Sequence, residues 1–299
     1  MDLMDRDIIY VDCQKVCYYK RTTQVSEMDG QMGKIPLSVA VITLNEAELL
    51  PGCLQSVGFA AQIVIVDSGS IDDTLRIALE FKCEIFNEPW RGFGRQKQFA
   101  IDRCRHPWVL VLDADERIPE ETAKVIEEFV LSSGEVPAGF SFPRKNFFQG
   151  RWIRHAGWWP DRIVRLFRKD RGRMTPDEVH ESVEVEGAVR DLDVPIEHFT
   201  ESRLSEVLKK IDRYSTLGAQ KAFSAGQKSS VPAAFSRALF TFVQDYAIRG
   251  GFLDGAPGLT LAVTDSVNKF FKYAKLAELS RSAREKARSG PDSSLSSHP

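Results

Sequence analysis

From Leu37 onward, apolar positions fall into two alternating patterns. LSVAVIT, QIVIVDSGS and WVLVLDADE are β-branched runs that read as buried strands, and CEIFNEP reads as a shorter one. Between and after them, NEAELLPGCLQSV, DDTLRIALEFK, GRQKQFAIDRCR and PEETAKVIEEFVLS space their apolar residues as helices do, with Asp72 or Asp73 near the start of the second. Strands alternating with helices over about 100 residues predict a parallel, doubly wound sheet flanked by helices, an α/β fold. In such sheets a ligand sits beyond the carboxyl ends of the strands.

The pattern changes over residues 138–200. AGFSFPRKNFFQGRWIRHAGWWPDRIVRLFRK interleaves aromatic and basic residues in strand-like pieces, and VHESVEVEG reads as a further short strand with its turn. LSEVLKKIDRYSTLGAQKAFSAG then reads as a helix. Pro232 to Leu279 holds two apolar segments around the loop GGFLDGAPG, and Ser280 to Pro299 reads as a disordered tail rich in Ser, Arg and Lys. No internal repeat is found.

The strand WVLVLDADE ends on Asp113, Asp115 and Glu116. Residues two apart on extended backbone face the same side, so Asp113 and Asp115 lie side by side. That is costly unless a cation neutralises them. Oxygen ligands suit Mg²⁺ or Mn²⁺, which leave coordination positions open for substrate phosphates. Taken alone, the cluster reads rather as a solvated turn before a helix, with Glu116 opening that helix and its acids favoured by the helix dipole. It does not stand alone. Asp67 ends a second strand, Asn45 and Glu46 follow the first, and Arg95 and Lys97 lead into the strand that bears Asp113.

Composition narrows the setting. The 299 residues are 43% hydrophobic and 27% charged, enough for a large core, and the formal net charge is −2. Global charge therefore favours no partner, and no nucleic-acid-binding module is visible. Cys13, Cys17, Cys53, Cys83 and Cys104 form no CxxC pair and read as reduced thiols of a cytosolic protein. The first 34 residues carry no apolar core of a signal peptide, and no apolar stretch is long enough to span a bilayer.

The ordered set VITLNE, VIVDSGSIDDT, KQFAI and WVLVLDADE resembles the nucleotide-sugar-binding domain of family 2 glycosyltransferases, the inverting GT-A type, over residues 36–200. WWPDRIVRLFR, VHESVEVEG and GGFLDGAPG resemble more narrowly the branch of lipopolysaccharide core, WaaE-type, enzymes. The resemblance implies a GT-A, Rossmann-like, mostly parallel sheet over 36–200. A 1–35 extension of unassigned role precedes it. A helical, membrane-associated region over 201–280 and a disordered tail over 281–299 follow.

It also implies roles. Asp67, with Ser68 and the stretch Thr43, Asn45 and Glu46, lines the pocket for the nucleoside. Asp113 and Asp115 reach the ribose and hold Mg²⁺ or Mn²⁺ on the diphosphate, Asp115 above all. The metal stabilises negative charge on the departing nucleoside diphosphate. Lys97, Arg162 and Arg165 are candidates for that diphosphate, as guanidinium matches phosphate oxygens. Arg165 and Phe167 share one strand face, and Val164 and Leu166 the other. One face is core, so only some of these arginines reach the diphosphate. Inverting transfer needs a general base, and the matching pair is His180–Glu181. Glu181 is the base, His180 its partner, and Asp161 the alternative. An ED-like pair is the usual form here, so the HE pair departs from the pattern and leaves the base open. Trp158 and Trp159 either stack on an acceptor sugar or serve as packing.

The implied reaction moves a sugar from a nucleotide-diphosphate donor, a UDP-sugar by family default, to a glycan or lipid-linked acceptor of the cell envelope. Lys269, Lys272 and Lys275, beside Val267, Phe270, Phe271 and Ala274, read as a basic amphipathic helix for an anionic membrane surface on the cytoplasmic side, or as a packed helix with snorkelling lysines. Two other readings stay open. A sugar nucleotidyltransferase would open with a glycine-rich loop after the first strand, where this chain has TLNEAELL. A non-catalytic nucleotide- or glycan-binding module would need neither base nor metal.

Overall fold

The computed structural model describes residues 34–175, 181–200 and 203–289. Chain order runs β1 (Ile35–Thr43), α1 (Leu50–Ser56), β2 (Ala60–Asp67), α2 (Thr74–Glu80), β3 (Glu84–Asn87), α3 (Phe93–Arg103), β4 (Trp108–Asp113), β5 (Glu116–Arg117) and α4 (Glu120–Leu131). It continues with β6 (Gly139–Phe148), β7 (Arg151–Trp152), β8 (Asp161–Arg168), β9 (Gly172–Met174), β10 (Val183–Val185), β11 (Val189–Asp191) and β12 (Ile196–Phe199). Three helices close it: α5 (Leu204–Ser224), α6 (Val231–Val243) and α7 (Gly255–Ser289).

The chain divides into two units. The first is residues 1–145 with 161–199, and the second is 146–160 with 200–299. The main sheet has the order β3-β2-β1-β4-β8-β6-β12-β5. β3, β2, β1 and β4 are parallel, as the alternating pattern predicts. Beyond β4 the sheet turns antiparallel, because β8 and β6 pair as a hairpin-like couple with no crossover helix between them. The result is a mixed open sheet flanked by helices.

Both faces of the parallel half are covered. Leu37, Val39 and Val41 of β1, with Leu110 and Leu112 of β4, pack on one side with Leu54 of α1 and Ile126 of α4. Ala40 and Ile42 of β1, with Val109 and Val111 of β4, pack on the other with Ala100 and Ile101 of α3. That two-sided burial explains the unbroken apolar runs, which an open antiparallel sheet would show as alternation. Each large side chain sealed this way contributes about 1.5–3 kcal/mol. The register then aligns the polar strand ends: Thr43 sits opposite Asp67, Ile42 opposite Asp113, and Asp67 opposite Asn87.

Cys53, Cys83 and Cys104 are free thiols, and burial pushes Cys83 and Cys104 up to about 12. Cys13 and Cys17 lie outside the described residues.

In the second unit α7 lies against α5 and α6. Lys275 of α7 donates to the Asp212 carboxylate at 2.7 Å, and to Ser215 and Thr216 of α5 at 2.9 and 2.7 Å. Lys272 lies over the Tyr273 ring, 5.7 Å away, and beside Gly218 of α5. The lysine row read as a membrane-facing stripe is therefore largely spent on helix packing, since residues three apart on α7 face α5. The helix also runs on to Ser289, into the stretch read as a disordered tail. No described helix is long and apolar enough to cross a membrane.

Candidate active site at the carboxyl edge of the sheet

The loops after β1 and β2 are laced together. Asn45 holds a positive φ of 57°, accepts from the Ile71 amide at 2.9 Å and donates its own amide to Ser70 at 2.8 Å. The Glu46 amide donates to Thr74 at 2.8 Å. Asp67 is fully buried and accepts from Thr43 Oγ1 at 2.9 Å, from the Gly69 and Ser70 amides at 2.9 and 2.8 Å, and from the Ser70 hydroxyl. Its carboxylate is consumed in shaping the loop. Ser68 accepts from Gln96 of α3 at 3.0 Å. Thr43, Asn45, Glu46, Asp67 and Ser68 thus form one preorganised ledge, with Asp67 as its internal brace.

Asp113 faces two cations of the chain itself. Lys97 Nζ lies 2.7 Å from one carboxylate oxygen and Arg165 lies 2.6 Å from the other. Burial would raise the Asp113 carboxyl, but Lys97 and then Arg165 hold it far below the usual carboxylate range. Lys97 also reaches Glu181 at 3.1 Å. Arg165 also reaches Glu116 at 2.7 Å, and Arg144 bridges Glu116 at 3.5 Å to Asp161 at 2.5 Å. Burial would lower Arg165, yet Glu116 and Asp113 keep it well above its ordinary value. The outcome is an unbroken chain of alternating charge: Glu181, Lys97, Asp113, Arg165, Glu116, Arg144, Asp161.

This chain corrects four expectations. Lys97 and Arg165 are buried inside ion pairs rather than held out for a diphosphate. The alternation along β8 explains it: Arg165 shares a face with Phe167, and that face is core. Arg162, on the opposite parity, donates to Leu192 O at 2.8 Å and pairs with Asp193 at 3.3 Å. Glu116 does not open α4; it is fully buried on β5 and accepts from the Asp113 amide at 3.1 Å. Asp161, the alternative base, does not stand free but is tied to Arg144.

Asp115 is differently placed. One oxygen lies 3.2 Å from His198 Nε2 on β12, while Oδ1 is buried with no hydrogen-bond partner among the described residues. A buried carboxylate oxygen left unsatisfied costs on the order of 1–3 kcal/mol, so it calls for a ligand. Among the described residues no group of three or more His, Cys, Asp and Glu gathers as a metal cage. An oxygen from Asp115 with an imidazole from His198 nevertheless fits a partial site for a hard cation that takes its other ligands from substrate phosphate. Asp113, with both oxygens paired to cations, does not fit that role. His198 was missed in the sequence because DVPIEHFT carries no motif spacing; only pairing of β12 with β5 brings it to Asp115.

His180 lies outside the described residues. Trp158 and Trp159 belong to the second unit. Trp158 packs near Phe148 at 6.4 Å, and Trp159 meets Trp152 edge-on at 5.2 Å, so both rings take part in packing.

Comparison with known proteins gives the family. The family model for glycosyl transferase family 2 matches residues 38–188. The chain is 33% identical to the lipopolysaccharide core biosynthesis glycosyltransferase LpsC of Rhizobium meliloti, over 88% of this chain and 98% of that protein. It is 26% identical to an uncharacterized glycosyltransferase of Rickettsia typhi, over 83% and 89% of the two chains. Among solved structures, S. aureus TarS in complex with UDP aligns over 83% of this chain and 91% of that one, with 15% identity and a TM-score of 0.42. The chain belongs to glycosyltransferase family 2.

Proposed function

We propose that the chain transfers a sugar, with inversion, from a nucleoside-diphosphate donor, a UDP-sugar, to a hydroxyl of a lipopolysaccharide core or other lipid-linked envelope glycan. The observation that carries this reading is the charge balance at the sheet edge. Glu181, Asp113, Glu116 and Asp161 are four carboxylates against Lys97, Arg165 and Arg144, and Asp115 adds a fifth. Such an edge repels a diphosphate by itself. It becomes attractive once Mg²⁺ or Mn²⁺ is held by Asp115 and His198.

When bound, that cation would act as a Lewis acid on the departing nucleoside diphosphate. The chain's own groups do the rest. The ledge from Thr43 to Glu46, braced by Asp67, takes the nucleoside. Glu181, steered by Lys97 at 3.1 Å, takes the proton from the acceptor hydroxyl as it attacks opposite the leaving group. Asp113 and Arg165 fix the backbone from which Asp115 projects. Trp158 and Trp159 remain the acceptor-side residues of this reading, which also puts the enzyme on the cytoplasmic side of the membrane that holds the acceptor.

Calorimetric titration of UDP with and without Mn²⁺, repeated on Asp115→Ala, tests the donor site. Metal-dependent binding that vanishes in the variant is expected. Metal-independent binding that survives in Asp115→Ala would remove Asp115 from the donor site. A non-catalytic module would show binding but no sugar transfer, and no effect of Glu181→Gln on donor turnover.

A further inference from the structure

Helix α6 is built inside out. Its buried positions are small: Ala234, Ala238 and Thr241. Its large residues stand in solvent, with Val231 59% exposed, Phe235 62%, Leu239 53% and Phe240 61%. Close approach through small residues, with large apolar ones turned outward, is how helices pack where the surroundings are lipid. The residues after it continue the surface, as Ile248, Phe252 and Leu253 are exposed too. Large apolar side chains exposed together rather than scattered singly mark an interaction surface.

Charge identifies the partner. Residues 203–289 hold fifteen Lys and Arg against seven Asp and Glu, in a chain with 40 and 42 overall. Of those acids, Asp245 and Asp254 are buried and paired, with Arg249 and His155. At the Val231 end of the apolar face a groove is lined by Val231, Phe271, Lys275, Arg281 and Arg284, with Glu278 its one acid. Within α6 itself the one charged residue is Arg237, which lies 4.5 Å over the Tyr273 ring. An apolar face bordered by cations and poor in exposed acids complements an anionic bilayer surface.

We infer that the outward face of α6, with residues 248–253 and the Arg281–Arg284 edge, docks this protein on anionic phospholipid. The inference deepens the reading of a lipid-linked acceptor, but its readout needs neither donor nor acceptor. Its failure would leave glycosyl transfer standing.

The test is co-sedimentation of the full-length protein with vesicles of phosphatidylglycerol and phosphatidylethanolamine, against phosphatidylcholine vesicles. Three proteins are compared: wild type, Phe235→Ser/Leu239→Ser/Phe240→Ser, and Arg281→Glu/Arg284→Glu. All changed side chains are exposed, so circular dichroism and UDP binding are expected to match wild type. Wild type is expected to bind anionic vesicles, the triple variant at least tenfold less, and the charge-reversed variant with lost preference for anionic lipid. Absence of wild-type binding, or equal binding by the triple variant, would overturn the inference. So would a wild-type dimer in sedimentation velocity that the triple variant dissociates without any change in vesicle binding, since the face would then join two copies of this chain.

Discussion

Leu110 on β4 and Phe235 on α6 are both large apolar side chains in regular secondary structure, yet the first is sealed from water and the second stands 62% exposed. The same contrast holds for charge. In the α/β unit the sheet-edge acids Asp113 and Glu116 meet cations at ion-pair distance, Asp113 with Lys97 and Arg165 and Glu116 with Arg165. In the helical unit Asp265 has no ion-pair partner among the described residues, and burial, then the charge of Asp245, pushes its carboxyl up to about 6. The first unit seals its large apolar residues in a core; the second leaves several of them exposed. What separates them is where each places its large residues, not how apolar its sequence is.

The largest expected effect lies in the first unit. Glu181→Gln keeps shape and the hydrogen bond from Lys97 but removes the proton acceptor. It should lower kcat by about 10²–10⁴-fold while UDP binding stays near wild type. Single-turnover transfer and calorimetry together check this, and unchanged kcat would move the base elsewhere. The charge chain predicts a second large effect, this time on stability. Arg165→Met leaves Glu116 buried and facing only Arg144 at 3.5 Å, and should cost about 3–5 kcal/mol in urea unfolding. Adding Glu116→Gln to that variant should restore part of the loss. If Arg165→Met instead weakened UDP binding with stability intact, Arg165 would be a diphosphate ligand after all.

The second unit is more sensitive to crowding than to charge. A Cβ on Gly258 would come within 2.0 Å of the Gly251 carbonyl oxygen, in the first turn of α7. Gly258→Ala should therefore cost about 1–3 kcal/mol through displaced backbone, read as a lowered Tm. Activity per folded molecule in the α/β unit should change little in UDP binding. A neutral result would mean that the 251–254 turn yields freely.

The parallel half of the sheet was legible because β1, β2 and β4, buried on both faces, leave continuous apolar runs, and β2 and β4 end on Asp67 and Asp113 at the expected edge. Asp115 and Glu181 entered the proposed site by motif. The antiparallel half was not, since β6, β8 and β12 mix aromatic and basic residues in short pieces whose pairing only the tertiary fold decides. That is why His198 was missed, and why Lys97 and Arg165 read as ligands: charge at the right edge does not reveal a partner 2.6 Å away. The helical unit misled through its lysines. Lys269, Lys272 and Lys275 have the spacing of a basic stripe, but the partner that claims Lys275 is Asp212, far away in sequence. The exposed row on α6 has the ordinary apolar content of a core helix, and only packing shows that its small residues are the buried ones.

The smallest effect sharpens the contrast in charge. Asp113 is held low by its cations, so its stabilisation is whole at neutral pH and is lost as pH falls below the ordinary carboxylate range. Asp265 works in the opposite sense. Between about pH 4 and 6 the folded chain keeps a proton that the unfolded chain has released, so folding gains as pH falls. Above about 6 the buried charge remains as a penalty, on the order of 1–3 kcal/mol for a carboxyl raised to about 6. Asp265→Asn should therefore raise stability at pH 8 by that amount and by much less at pH 4. Thermal unfolding of both proteins across that range checks it. A gain that is equal at both ends would mean that packing of the amide, not the carboxyl's charge, sets the stability of this helix pair.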